Sequence, residues 1–251
     1  MRAAVTSFGV AAGWSPFLAF PLMLIAACLI GVLLGGPIEK FLLRRVYDAE
    51  EALQLLVTFA VFMILEDVQR LVWGVQPYFE ASALQALGNV EVLGIYYTVY
   101  QLIFLPAVAL AVLIGLRLFL RRTLAGKLIL AVTEDREGAA AIGIDADRVY
   151  MLTFVIGTAL AAFGGALASA TTSVLPGMGA DMIVLSFAVA ATAGLGQIEG
   201  AAIAALLIGL GRSFAVYLAP ELEVLMPYLI MLGVLLWRPE GLFGVAKTRK
   251  I

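Results

Sequence analysis

The sequence has no histidine, one cysteine and few charges. Without histidine there is no imidazole base and no Cys/His metal site, and Cys28 by itself cannot build a disulfide frame. Charged residues make up 14% of the chain, against roughly a quarter in soluble domains. A net charge of −2 offers no basic field to nucleic acid. No G-x-x-x-x-G-K-[ST] occurs, the nearest approach being Ala125-Gly126-Lys127-Leu128, so nothing cradles nucleotide phosphates and the chain does not hydrolyse ATP by itself. G-x-S-x-G and H-E-x-x-H are missing too, and no carboxylate cluster marks a proton-coupled carrier. These absences exclude the common enzyme classes and leave no metal or cofactor to expect. Any energy source must be borrowed, unless the chain is a passive channel.

What is present is apolar. Hydrophobic residues form 63% of 251, and mean hydropathy is +1.04, which describes an integral membrane protein. Met1 to Ser15 carries Arg2 but no long apolar core, so it reads as a short tail rather than a signal peptide. Phe17 to Gly36 has no charge and is long enough to cross a hydrocarbon core of roughly 30 Å. Ala52 to Gly74 follows, interrupted late by Glu66, Asp67 and Arg70, with Glu66 and Arg70 on one helix face. A polar insert at Gln76 to Glu91 precedes Tyr96, Tyr97 and Tyr100, which open a third span to about Phe119 as interfacial aromatics. Tyr150 to Thr172, Met182 to Leu195, Gly200 to Ala219 and Leu225 to Trp237 complete an all-α, polytopic helical bundle of about seven crossings in a single domain, 1–251. One of these, Met182 to Leu195, is short and breaks at Gly194, Gly196 and Gly200. Broken helices at membrane depth line cavities, so these glycines are candidate translocation-path positions.

Thirteen of the sixteen Lys and Arg residues fall in three groups: Lys40 to Arg45, Arg117 to Arg148, and Arg238 to Lys250. Seven crossings place all three on one side, so the positive-inside rule puts the N-terminus outside and the C-terminus inside. Keeping Met182 to Leu195 as a crossing is what holds the last group on that side. Gly157, Ala161, Gly165 and Ser169, and likewise Ala201, Ala205, Gly209 and Ser213, recur every four residues and predict two flat stripes for close helix packing inside the bundle. Plain packing and helix sliding during transport both fit such stripes. Arg212, deep in an apolar span, and Glu66 with Asp67 in another either mark a functional site, Arg212 attracting a substrate carboxylate, or lie near the outer interface, where long side chains snorkel and Glu66 pairs with Arg70.

The longest polar interruption is Lys127 to Arg148, the centre of a loop over about 121–148. Glu134, Asp135, Arg136 and Glu137 precede Gly138, Ala139, Ala140, Ala141, Ile142 and Gly143: an acidic start, small helix formers and a glycine stop. This predicts a short surface helix capped by Gly143, against which another protein can press; a merely solvated loop helix is the plainer alternative.

Three passages, Thr133 to Leu167, GLGQIEGAAIAALLIGL at Gly194 to Leu210 and RPEGLFG at Arg238 to Gly244, together resemble the membrane permease subunits of branched-chain amino acid ABC importers, the LivH/LivM group. The resemblance extends from about Phe17 to the end. It implies an inner-membrane, multi-pass permease half that is no enzyme, pairs with a second permease subunit, docks two ATP-binding subunits inside and receives substrate from a soluble binding protein outside. It also implies that Glu137, Gly138, Ala139 and Gly143 match the E-A-A-x-x-x-G docking pattern, with glycine at the first alanine position. The family usually opens with a further apolar helix and an N-F-A-H-G-like turn; neither occurs here, so the family's first helix is expected to be missing. Relatives for urea and short amides share the pattern. Outside the family, an ATP-independent channel, a secondary carrier or a structural scaffold remains open.

Overall fold

The structure, a computed structural model, describes residues 16–47, 49–77, 88–92, 95–194 and 196–244. The expected tail at Met1 to Ser15 and the terminal Lys247, Arg249 and Lys250 lie outside these residues. The chain divides at Pro176 and Gly177 into two compact units, each taken by itself.

In the first unit, α1 (Pro16–Phe41) is followed by a 3-10 turn at Leu43–Arg45 and by α2 (Glu51–Trp73). Two strands, β1 (Asn89–Val92) and β2 (Ile95–Thr98), form an antiparallel hairpin with Val90 opposite Tyr97 and Glu91 opposite Tyr96. A π-helical turn at Tyr100–Phe104 leads into α3 (Leu105–Arg122), and then come α4 (Leu124–Glu134), α5 (Arg136–Ala141) and α6 (Ala146–Ala168). The second unit holds α7 (Met178–Ala193), α8 (Ile198–Leu218), a 3-10 turn at Pro220–Leu222 and α9 (Met226–Trp237).

The chain is mostly helical, as expected. Among the described residues, four helices are long and apolar enough to cross a membrane: Leu24–Arg45, Tyr100–Arg122, Ala146–Ala168 and Ile198–Leu218. The hairpin is an addition to the all-α expectation. Short runs rich in β-branched and aromatic residues, NVEV and IYYT, favour strands. Tyr96 and Tyr97 therefore stand on β2, ahead of the third helix. Tyr100 is no interfacial aromatic: it is fully buried, and its hydroxyl donates to the Leu167 carbonyl at 2.9 Å.

Packing follows the logic of helices in lipid, where apolar side chains gain little by facing one another and small residues let backbones approach. Large residues such as Leu56, Leu71 and Leu206 point outward, while Ala170, Ala188, Ala193, Ala204 and Ala215 are buried. The tightest approach joins α1 to α6. A Cβ placed on Gly31 would lie 2.6 Å from the Thr158 carbonyl oxygen and 2.7 Å from the Ala159 Cα, and Gly35 faces the Thr158 side chain. This corrects the stripe expectation. Gly157, Ala161 and Gly165 are exposed in this chain, with nothing within 4 Å of a Cβ at Gly157 or Gly165. On α8 the covered face is Gly200, Ala204, Ile208 and Ala215, the first three each one residue before the predicted Ala201, Ala205 and Gly209, while Ser213 is exposed. One residue is about 100° of helix rotation, enough to turn the predicted stripe outward.

Candidate functional site

Three consecutive helices around residues 121–148 each begin on a side-chain cap. Thr123 Oγ1 accepts from Gly126 N at 3.0 Å, Asp135 Oδ1 from Gly138 N at 2.9 Å, and Asp145 Oδ1 from Arg148 N at 3.2 Å. Each satisfies one of the amide donors that a helix start leaves orphaned. The α5 helix is closed by Gly143 at φ +89°, whose N–H bonds the Ala140 carbonyl while Ile144 N–H bonds that of Ala139. Left-handed backbone there suits glycine. The expected short helix with an acidic start and a glycine stop is therefore present. What was not expected is α4 directly before it.

The segment folds onto a small apolar core of its own, Ile129, Val132, Ala139 and Val149, flanked by Phe119, Leu120 and Tyr150. Of the predicted coupling residues, Glu134, Asp135, Arg136, Glu137, Gly138 and Gly143 are exposed together. Ala139 is the exception, 5% exposed, and serves as the anchor of α5. Ile142 is 78% exposed and adds an apolar contact to the polar face. Two substitutions separate cap from propensity. Asp135→Ala removes the cap and should destabilise the segment by about 1 kcal/mol. Gly138→Ala gains about 1 kcal/mol of helix propensity, but its Cβ would sit 2.5 Å from Asp135 Oδ2 and displace the cap, so the net change should be near zero. Amide hydrogen exchange over residues 135–143 measures both.

The segment is tied to the end of α1. Arg44 pairs with Asp147 in the first turn of α6. Tyr47 packs on Tyr150, ring centroids 5.0 Å apart, and the Arg136 guanidinium lies 5.5 Å over the same Tyr150 ring. The Tyr47 hydroxyl donates to Glu39 Oε1 at 3.4 Å. Burial, then the neighbouring Glu39, push the Tyr47 phenol up to about 12, so it stays a donor at any working pH. None of these pairings is visible in the sequence, although Arg136 itself is. Glu39 beside Lys40 looks like an ordinary solvated helix end, and nothing in spacing links Tyr47 to Tyr150.

In the second unit the four candidate path residues separate. Gly194 and Gly196 lie between α7 and α8 and Gly200 in the first turn of α8, while Arg212 stands twelve residues further along α8, about 18 Å away. At the glycines the C-terminal passage Arg238 to Gly244 folds back as a strap. Leu242 N–H and Phe243 N–H donate to the Thr192 and Ala193 carbonyls at 2.9 and 3.0 Å. Those carbonyls are among the last of α7, without helical partners, and the strap supplies them. Gly194, at φ +92°, lets it in: a Cβ there would sit 2.6 Å from the Glu240 carbonyl oxygen. Gly200 packs under Phe243. At the far end, Arg212 donates through Nε and an Nη to Glu223 Oε1 at 3.1 and 2.7 Å. This pair lines a cleft of about 310 Å³ with Asp181, Met182, Leu185 and Tyr228. Glu66 and Arg70 pair on α2, as their spacing predicts.

Residues 1–235 match the family described as branched-chain amino acid transport system / permease component. The chain is 28% identical over 259 residues to the high-affinity branched-chain amino acid transport system permease protein LivH of Escherichia coli, covering 99% of this chain and 81% of that one. It is 27% identical over 240 residues to the corresponding permease protein BraD of Pseudomonas aeruginosa, covering 92% and 78%. A probable branched-chain amino acid transport permease protein LivH of Methanocaldococcus jannaschii is 26% identical over 250 residues, covering 93% and 76%. No solved structure matches. The chain belongs to the branched-chain amino acid transport system permease component family: it is a multi-pass membrane transport subunit and not an enzyme.

Proposed function

We propose that the chain is one permease subunit of an ATP-driven importer for branched-chain amino acids. It acts as a single permease domain that crosses the membrane seven times, through α1, α2, α3, α6, α7, α8 and α9, with its basic groups inside. It pairs with a second permease subunit, engages two ATP-binding subunits through residues 121–148, and takes substrate from a binding protein on the outer side. Gly194, Gly196, Gly200 and Arg212 are its candidate path residues, the glycines toward the inner end and Arg212 toward the outer.

The observation that supports this reading best is the coupling segment. A short helix with a capped acidic start, small side chains and a glycine stop stands exposed, braced on its own core. Its Glu137 at the first turn suits the helix dipole. Such a helix fits a groove and moves as a unit. In a strain expressing the whole transport system, the chain should bring down an ATP-binding subunit. Gly143→Val forces a β-branched residue to φ +89°, a strain of about 1–2 kcal/mol, and with Glu137→Lys should reduce recovery of that subunit about tenfold. Unchanged recovery from both variants would remove the segment as the docking site.

A further inference from the structure

Glu39 is the only buried acid among the described residues, 1% exposed, and its Oε2 has no hydrogen-bond partner there. An enclosed carboxyl with a bare oxygen is destabilising, so its position points to a role beyond packing. Its other oxygen holds only the long 3.4 Å bond from Tyr47. From Tyr47 the contacts run on through the Tyr150 ring to Arg136, the first residue of α5. Four side chains thus make one contiguous line from the coupling helix to the end of α1. Alongside it, Arg44 in the turn after α1 pairs with Asp147 in the first turn of α6.

We propose that Glu39, Tyr47 and Tyr150 are positioning residues that carry displacement of the coupling helix Arg136–Ala141 to the membrane helix α1. The proposal rests on the reading that α5 receives the ATP-binding subunits. Tyr47 has two stations: the long bond to Oε1 seen here, and a bond that engages the bare Oε2 when Arg136 shifts Tyr150. A link of this kind needs two discrete arrangements, and the second oxygen supplies the other one. α1 meets α6 backbone to backbone at Gly31, and Pro37 stands inside α1 between that contact and Glu39, so a shift at Glu39 bends α1 there.

The test uses the complete importer in proteoliposomes: this chain, the second permease subunit, the ATP-binding subunits and the binding protein. Tyr47→Phe keeps the ring on Tyr150 and removes only the hydroxyl; Glu39→Gln keeps the shape and removes the charge. Both should retain the ATP-binding subunits and hydrolyse ATP within about twofold of wild type, while leucine uptake per ATP falls about tenfold and KM for leucine is unchanged. Wild-type uptake per ATP in Tyr47→Phe overturns the proposal, even if Glu39→Gln fails to accumulate. A parallel loss of subunit recovery and hydrolysis also overturns it, since that marks a role in the fold alone. A wild-type chain that retains no ATP-binding subunit defeats the docking reading, and this proposal with it.

Discussion

Gly194→Ala should destabilise the chain by about 2–5 kcal/mol, the sum of a left-handed backbone penalty and a steric clash with backbone. The Cβ would sit 2.6 Å from the Glu240 carbonyl oxygen and 2.8 Å from Gly244 N, atoms that cannot rotate away as a side chain can. The strap must therefore lift, and the Thr192 and Ala193 carbonyls lose the amides of Leu242 and Phe243. Gly196→Ala is the matched control. Its φ is +86°, also positive, but nothing lies within 4 Å of its Cβ, so only the backbone penalty of about 1–2 kcal/mol applies. Thermal unfolding in detergent should show Gly194→Ala losing clearly more than Gly196→Ala. Equal losses would mean that the strap contributes nothing.

Gly31→Val should be as severe, in the other unit. The new side chain meets the Thr158 carbonyl and the Ala159 Cα, so α1 and α6 must separate by roughly 1 Å along their closest contact. A loss of about 2–4 kcal/mol follows, seen as poor accumulation in the membrane and early unfolding in detergent. Gly157→Val, on the same α6 but open to space, should change the isolated chain by less than about 0.5 kcal/mol. Reversal of that order would return the helix contact to the stripe at Gly157.

That contrast shows what a sequence can and cannot reveal. Four-residue spacing of small side chains is visible in the chain, and it does mark flat helix faces. It does not say which face is covered: Gly31 and Gly35 have the same spacing as Gly157, Ala161 and Gly165, yet only the first pair lies against a helix in this chain. The α5 helix was legible because caps, small residues and Gly143 act within ten residues of one another. The α4 helix was missed because Lys127 breaks its apolar run, although Ile129 and Val132 keep helical spacing on the buried side. Tyr100 was misplaced because a tyrosine near a span reads the same whether it faces lipid headgroups or caps a buried carbonyl. The Glu39–Tyr47–Tyr150 line and the Arg212–Glu223 pair join residues on separate elements, and no local pattern encodes such meetings.

The central claim is that residues 134–143 form a water-exposed surface on the cytoplasmic side, where an ATP-binding partner can engage it. Ala140 is exposed within that surface and Cys28 is the sole native thiol, so Ala140→Cys with Cys28→Ser gives a single label site. A membrane-impermeant maleimide should label it in inverted membrane vesicles, which expose the cytoplasmic face, and leave it unlabelled in right-side-out vesicles. Labelling from the right-side-out vesicles alone would contradict the account.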